Sequence, residues 1–200
     1  MEEDSFLTIK TISEGVYKEK GSKFYAFAYP VSNEEEIKSA IQDLKKQYYD
    51  ARHHCFAFIL GIDKTNYRAN DDGEPGNSAG PPILGQIRSK ELTDVLVVVV
   101  RYFGGTKLGV GGLITAYKAA ANDALGNAEI ITKYLEKRFR VEFEYPQMNE
   151  VMKLVKDFDL KIEDQYFEQD CVMKLIVREK FAKELQLKLE KIAGLRLKIS

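Results

Sequence analysis

Residues 95–118 most narrow what this chain can fold into. Six uninterrupted apolar residues, Val95 to Val100, lead into Arg101-Tyr102-Phe103 and then a stretch with five glycines (Gly104, Gly105, Gly109, Gly111 and Gly112) and Lys107. The β-branched run reads as a strand, and a helix is expected to start at Gly111 or Gly112. Glycines concentrate where the backbone takes positive φ or lies against something else. A strand, a Gly-rich loop and a helix N-terminus together can present several backbone N–H groups to an anion. The spacing fits neither G-x-x-x-x-G-K-[ST] nor G-x-G-x-x-G, so it is not a nucleotide-binding fingerprint. Arg101, Lys107 and Lys118 surround the loop, and Tyr102 and Phe103 offer ring faces, a set that suits a phosphate backbone or a stacked base. The alternative is structural: the glycines let the loop pack on the sheet, and Arg101 pairs with Asp71, Asp72 or Glu74.

Elsewhere the chain is ordinary. Its 200 residues, 44% hydrophobic and 30% charged, suffice for one large or two small globular domains. The net charge of -1 provides no global field toward nucleic acid or membrane, so any anion site must be a local patch. The acidic Met1-Glu2-Glu3-Asp4 start, with no apolar run after it, argues against a signal peptide, and six apolar residues are too few to span a membrane. Cys55 and Cys171 lie far apart with no C-x-x-C spacing. That argues for reduced thiols in a cytoplasmic protein and against a structural zinc site.

Periodicity divides the chain into two domains, residues 1–128 and 129–200. In the first, strands are expected at Phe6 to Ile12 and Gly15 to Lys18 around a Ser-Glu-Gly turn, and again at Ser22 to Val31. Asn33 can cap a helix with Glu34, Glu35 and Glu36 in its first turn and Ile37, Ile41, Leu44 and Tyr48 as its apolar stripe. His53 to Gly61 is a strand, residues 62–82 a long polar loop, and Ile83 to Ser89 a short helix. After Gly126-Asn127 the pattern restarts. A long strand over Ile130 to Tyr145, a helix over Asn149 to Phe158, a hairpin turning at Glu168-Gln169-Asp170, a helix over Phe181 to Ile192 and a last strand spell βαββαβ, the ferredoxin-like plan. The fold class is therefore α+β.

Asp71, Asp72 and Glu74 place three carboxylates within four residues. Asp71-Asp72-Gly73 suits a turn with Glu74-Pro75 leaving it extended. Carboxylates so close could also contact a ligand, share a proton or hold a hard cation, although EF-hand spacing is absent. On the strand, His53 and Cys55 share one face while His54 joins Phe56 and Phe58 on the other. His53 and His54 are the only histidines, so a histidine-rich metal centre is excluded. No third catalytic residue stands at a telling spacing.

Asp50-Ala51-Arg52-His53-x-Cys55, Asn70-Asp71-Asp72-Gly73-Glu74-Pro75 and Arg101-Tyr102-Phe103-Gly104-Gly105-x-Lys107-Leu108-Gly109-x-Gly111-Gly112-Leu113 together closely resemble the IMPACT/YigZ family, over roughly residues 15–127. The remainder resembles that family's bacterial C-terminal domain, itself similar to the C-terminal domain of elongation factor G. The resemblance implies an N-terminal β/α sandwich similar to domain IV of elongation factor G, a fold tied to RNA contact, and eukaryotic relatives that look like translational regulators. It matches His53, Cys55, Asp71, Asp72, Glu74, Arg101, Gly104, Gly105, Lys107, Gly109, Gly111 and Gly112 to the family pattern. His54 departs from the apolar residue usual there, and Gly76-Asn77 replaces a Ser-Gly-like pair.

These readings converge on a cytoplasmic, non-enzymatic, translation-linked factor that binds RNA or a ribosome-associated partner, with the C-terminal ferredoxin-like sheet adding a second contact. The binding face comprises Arg101, Tyr102, Gly104, Gly105, Lys107, Gly109, Gly111 and Gly112 with Asp71 and Asp72, and no metal, cofactor or membrane is involved. The rivals are a hydrolase or peptidase-like enzyme with a pocket around His53, Glu74 and Arg101, and a protein–protein interaction module.

Overall fold

A computed structural model describes residues 3–167 and 170–199. Met1-Glu2 of the acidic start and Glu168-Gln169 of the expected hairpin turn lie outside the described residues. The fold is α+β. The chain divides into two compact units: Phe6–Lys133, and the described part of Tyr134–Ser200 together with residues 3–5.

The larger unit is organised by the apolar run. Its elements are β1 (Ser5–Ile9), β2 (Ser13–Glu19), β3 (Ser22–Pro30), α1 (Glu34–Gln47), β4 (His53–Leu60), β5 (Asn66–Asn70), α2 (Gly80–Ser89), β6 (Val95–Tyr102), α3 (Gly109–Gly126) and β7 (Ile130–Tyr134). Strand β6 is central in an antiparallel sheet of order β2-β3-β6-β4-β5. Val95, Val97 and Val99 pack with Ile83, Ile87, Ala116 and Tyr117 of α2 and α3, while Leu96, Val98 and Val100 pack with Ile37 and Leu44 of α1. A strand buried on both faces ordinarily marks a parallel sheet. Here the sheet is antiparallel, and helices cover both of its faces.

Helix α1 starts as its sequence suggests. Asn33 Oδ1 accepts from the Glu36 amide at 2.9 Å, and the Glu36 carboxylate accepts from the Ser32 amide at 2.7 Å. Helix α2 begins earlier than expected, at Gly80, because Pro81 and Pro82 fall in its first turn, where no intrahelical N–H is required. Helix α3 likewise begins at Gly109 rather than at Gly111 or Gly112.

Three further expectations are corrected. Ser13-Glu14-Gly15 opens β2 instead of forming a turn, and β1 pairs with β7 rather than with β2. A side chain at Gly15 would sit 2.2 Å from the Ala124 amide nitrogen, so this glycine permits close packing of β2 on α3. The polar stretch 62–82 contains β5, an edge strand pairing with β4. The expected strand over 130–145 is two strands, broken at Leu135.

The smaller unit contains β8 (Glu136–Phe143), α4 (Met148–Asp157), β9 (Lys161–Phe167), β10 (Cys171–Arg178), α5 (Glu179–Leu189) and β11 (Arg196–Ile199). Its antiparallel sheet has the order β11-β8-β10-β9. One sheet face buries Phe139, Val141, Met173 and Leu175 against Val151 of α4 and Leu185 and Leu189 of α5. Asp4 belongs to this unit because its carboxylate grips Arg178 at two points, 2.8 Å to Nη2 and 3.2 Å to Nε. Those bonds hold the Asp4 carboxyl below its ordinary range.

Candidate functional site

The end of β6, the loop that follows it and the start of α3 border a cleft of about 870 Å³. Antiparallel pairing sets His53 of β4 directly across from Arg101 of β6. The turn after β5 brings Glu74 and Pro75 to the same cleft, and Arg52, Phe103, Lys107 and Gly109 complete its rim. Of the residues singled out from sequence, His53, Glu74, Arg101, Tyr102, Lys107 and Gly109 therefore come together, while Asp71, Asp72, Gly104, Gly105, Gly111 and Gly112 do not line the cleft.

At its base is a buried ion pair. Arg101 Nη1 lies 2.6 Å from Glu74 Oε1, with only 9% of the arginine side chain and 3% of the glutamate side chain exposed. The Tyr117 hydroxyl donates to the same carboxylate oxygen at 2.7 Å. Cys55 Sγ lies 3.3 Å from that hydroxyl and 2.9 Å from the Asp71 carbonyl. Arg101 also sits over the rings of Phe24 and Phe103, 5.5 and 5.7 Å from their centroids. Arg101 Nη1 is thus paired with Glu74, as the structural alternative expected, while its Nε is buried without a hydrogen-bond partner. Burial pushes the Cys55 thiol and the Tyr117 hydroxyl well above their ordinary pKa values. A buried thiol with that shift is inert as a nucleophile.

The neighbouring carboxylates diverge to separate structural tasks. Glu74 N donates to Asp71 O at 2.9 Å, closing a turn with φ of 42° at Asp72 and 85° at Gly73. Asp71 Oδ1 accepts from the Ala79 and Gly80 amides at 2.9 and 2.8 Å, and Oδ2 from Asn77 at 2.8 Å, serving the entry to α2. Asp72 Oδ2 accepts from the His54 amide at 2.6 Å, fastening the turn to β4. These bonds occupy the two aspartates that the sequence reading placed in the binding face. Among the described residues no group of three or more His, Cys, Asp or Glu side chains could hold a metal ion.

His53 is fixed differently. Its Nδ1 lies 2.8 Å from the Asp72 carbonyl oxygen, which can only accept. Nδ1 therefore carries the hydrogen, and in the neutral ring Nε2 keeps its lone pair. Tyr102 donates its hydroxyl to Asp50 at 2.6 Å, and this bond is the largest cause of a pKa pushed up to about 12.

The glycines divide into two kinds. A side chain at Gly104 would meet the Gly21 carbonyl carbon at 1.9 Å, so this residue packs the loop against the β2–β3 turn. Gly109, with φ of 72°, and Gly111 face open space, leaving backbone that a ligand can approach closely. The 18-residue α3 has no side-chain cap and no acidic residue in its first turn. Its N-terminal partial positive charge is therefore uncompensated there. Lys107 and Arg52 are exposed, and neither is ion-paired among the described residues. Lys118 is exposed on α3 but does not line the cleft. Tyr117, which braces Glu74, is the residue that sequence reasoning missed. Its position on one helical stripe with Leu113, Ala116 and Ala120 was the available signal, and that signal indicates only burial.

An antiparallel, helix-covered sheet with a Gly-rich rim over a buried Arg–Glu pair, followed by a four-stranded α+β unit, defines the class of protein. The family described as the Impact N-terminal domain matches residues 20–125, and the chain belongs to the IMPACT family. It is 31% identical to "IMPACT family member YvyE" of Bacillus subtilis, over 88% of this chain and 81% of that one. It is 34% identical to "IMPACT family member YigZ" of Escherichia coli, over 72% of this chain and 71% of that one. A crystal structure described as that of an hypothetical protein superposes with a TM-score of 0.73 at 29% identity, covering 97% of this chain and 96% of that one.

Glu74→Ala strands the Arg101 charge in the interior and is expected to lower the unfolding free energy by about 3–5 kcal/mol, most of it recovered in Glu74→Leu/Arg101→Met. Urea denaturation measures both. A loss in Glu74→Ala of only about 1 kcal/mol, typical of an exposed pair, would show that the pair does not hold the turn to β6.

His54 gives a pH dependence. Burial lowers its pKa from 6.5 despite the opposing pull of Asp72, and its Nε2 is buried without a hydrogen-bond partner. The unfolded chain therefore takes up this proton before the folded one does. The His54 contribution is flat above its unfolded pKa, and stability falls as pH drops below about 6.5 toward the lower folded value. In His54→Phe that part of the slope is expected to vanish from melts across pH 5–7. An unchanged slope would assign it to other groups.

Proposed function

We propose that this protein is a cytoplasmic, translation-associated factor that binds RNA through the Arg101–Gly112 face. The observation that carries the reading is the rim of the cleft. There the uncapped N-terminus of α3, open backbone at Gly109, and the exposed cations Lys107 and Arg52 lie with an exposed Phe103 ring. Backbone amides and cations suit phosphate oxygens, and an exposed aromatic suits an unstacked base. The family's resemblance to translational regulators points the same way. In this reading Arg101 does not touch the ligand; with Glu74 it positions the loop that does. Among the described residues no helix is long and apolar enough to cross a membrane.

A hydrolytic reading draws on His53, whose tautomer leaves Nε2 as a base at the cleft. It lacks a nucleophile beside that base, because Cys55 is buried against Asp71 and Tyr117.

Lys107→Glu is expected to weaken binding of a labelled single-stranded RNA and to flatten the dependence of log K on log salt by about 0.7 per lost phosphate contact. Fluorescence anisotropy at several salt concentrations reads both. Unchanged affinity and slope would remove the site from this loop.

A further inference from the structure

The smaller unit carries charge in a pattern that its fold does not need. Alternation along β8, β10 and β11 turns Phe139, Val141, Met173, Leu175 and Leu197 toward α4 and α5. The intervening residues therefore occupy the opposite face, where Ile176 is buried while Arg140 and Lys198 are exposed. Cross-strand register lines up Lys198, Arg140 and Lys174 on three adjacent strands. Adjacent strands are about 4.8 Å apart, so the three cations span roughly 10 Å. Like charges placed directly opposite one another are destabilising.

Local acids relieve this only in part. Asp164 pairs with Lys174 at 3.1 Å, and Glu142 with Arg140 at 2.9 Å, but Glu142 also faces Arg196 at 3.9 Å. Among the described residues none forms an ion pair with Lys198. The row ends on β9 at Asp164, directly across from Lys174, so it carries three cations and one carboxylate in a chain whose net charge is -1. An aromatic ring stands in the next row. Tyr166 pairs across β10 with Val172 and is 57% exposed, its hydroxyl tethered to Asp164 at 2.7 Å.

We infer that the exposed part of this sheet face is a second RNA-binding surface, in which Lys198, Arg140 and Lys174 contact successive phosphates of a single strand and Tyr166 stacks a base. Cations suit any polyanion, but a ring exposed on a flat sheet adds stacking, which an unpaired base can use and a duplex cannot. The inference shares its ligand class with the reading above and none of its residues.

The test uses the full chain and a fluorescein-labelled single-stranded RNA of twelve mixed nucleotides, with the matching duplex alongside. Arg140→Gln/Lys198→Gln is expected to flatten the salt slope by about 1.4, at about 0.7 for each lost contact. Tyr166→Ala is expected to weaken binding about fivefold or more without altering the slope. Thermal melts check folding, and Arg140→Lys/Lys198→Arg, which keeps the charges, should restore the wild-type slope. Wild-type affinity and slope in both the charge variant and Tyr166→Ala would overturn the inference. If those variants bind normally and Lys107→Glu does not, the sheet face fails while the glycine-loop reading stands. The reverse pattern sustains the sheet face alone. Absence of single-strand binding by the wild type at low salt overturns both, and equal affinity for the duplex overturns the stacking role of Tyr166.

Discussion

The buried pair of Arg101 and Glu74 is the contact on which the rest of the cleft depends. It joins two segments 27 residues apart, the end of the central strand and the turn after the edge strand. A charge taken out of water is tolerated only when paired and hydrogen-bonded. Tyr117 adds a bond from α3, so strand, turn and helix are fastened at one carboxylate oxygen. Such a pair contributes little net stability compared with apolar residues of similar volume, but removing one partner is expensive. It therefore specifies a geometry. That geometry fastens α3 and the turn after β5 to the end of β6, with the exposed charges Lys107 and Arg52 outside it.

Much of this was legible in the sequence, for physical reasons that differ from place to place. The Val95–Val100 run could only be a buried strand, and Asn33 with its glutamates could hardly be anything but a helix start. The stripes of α4 and α5 are strongly periodic. By contrast, β5 hides in a polar stretch because an edge strand with exposed side chains needs no apolar alternation. The break at Leu135 leaves no Pro or Gly mark. Ser13-Glu14-Gly15 looks like a turn because its glycine serves packing against α3, a contact more than a hundred residues away in sequence.

The site was readable as a neighbourhood and not as a set of roles. Arg101, Glu74, His53 and Lys107 do meet at one cleft. Whether Arg101 faces a ligand or a carboxylate depends on which side of β6 the turn closes, and no local pattern encodes that. Asp71 and Asp72 resemble ligand-binding acids in sequence because a carboxylate that accepts backbone amides is chemically the same as one that accepts a substrate's N–H. Cys55 shares a strand face with His53, but it is buried and lies 2.9 Å from the Asp71 carbonyl.

Salt-dependent co-sedimentation with ribosomes from gently lysed cells, with Lys107→Glu run in parallel, tests the central claim most directly. Association at low salt that falls at moderate salt and is lost in Lys107→Glu is the expected result. No association at any salt, or association indifferent to both salt and the substitution, would contradict RNA contact through the rim that the Arg101–Glu74 pair supports.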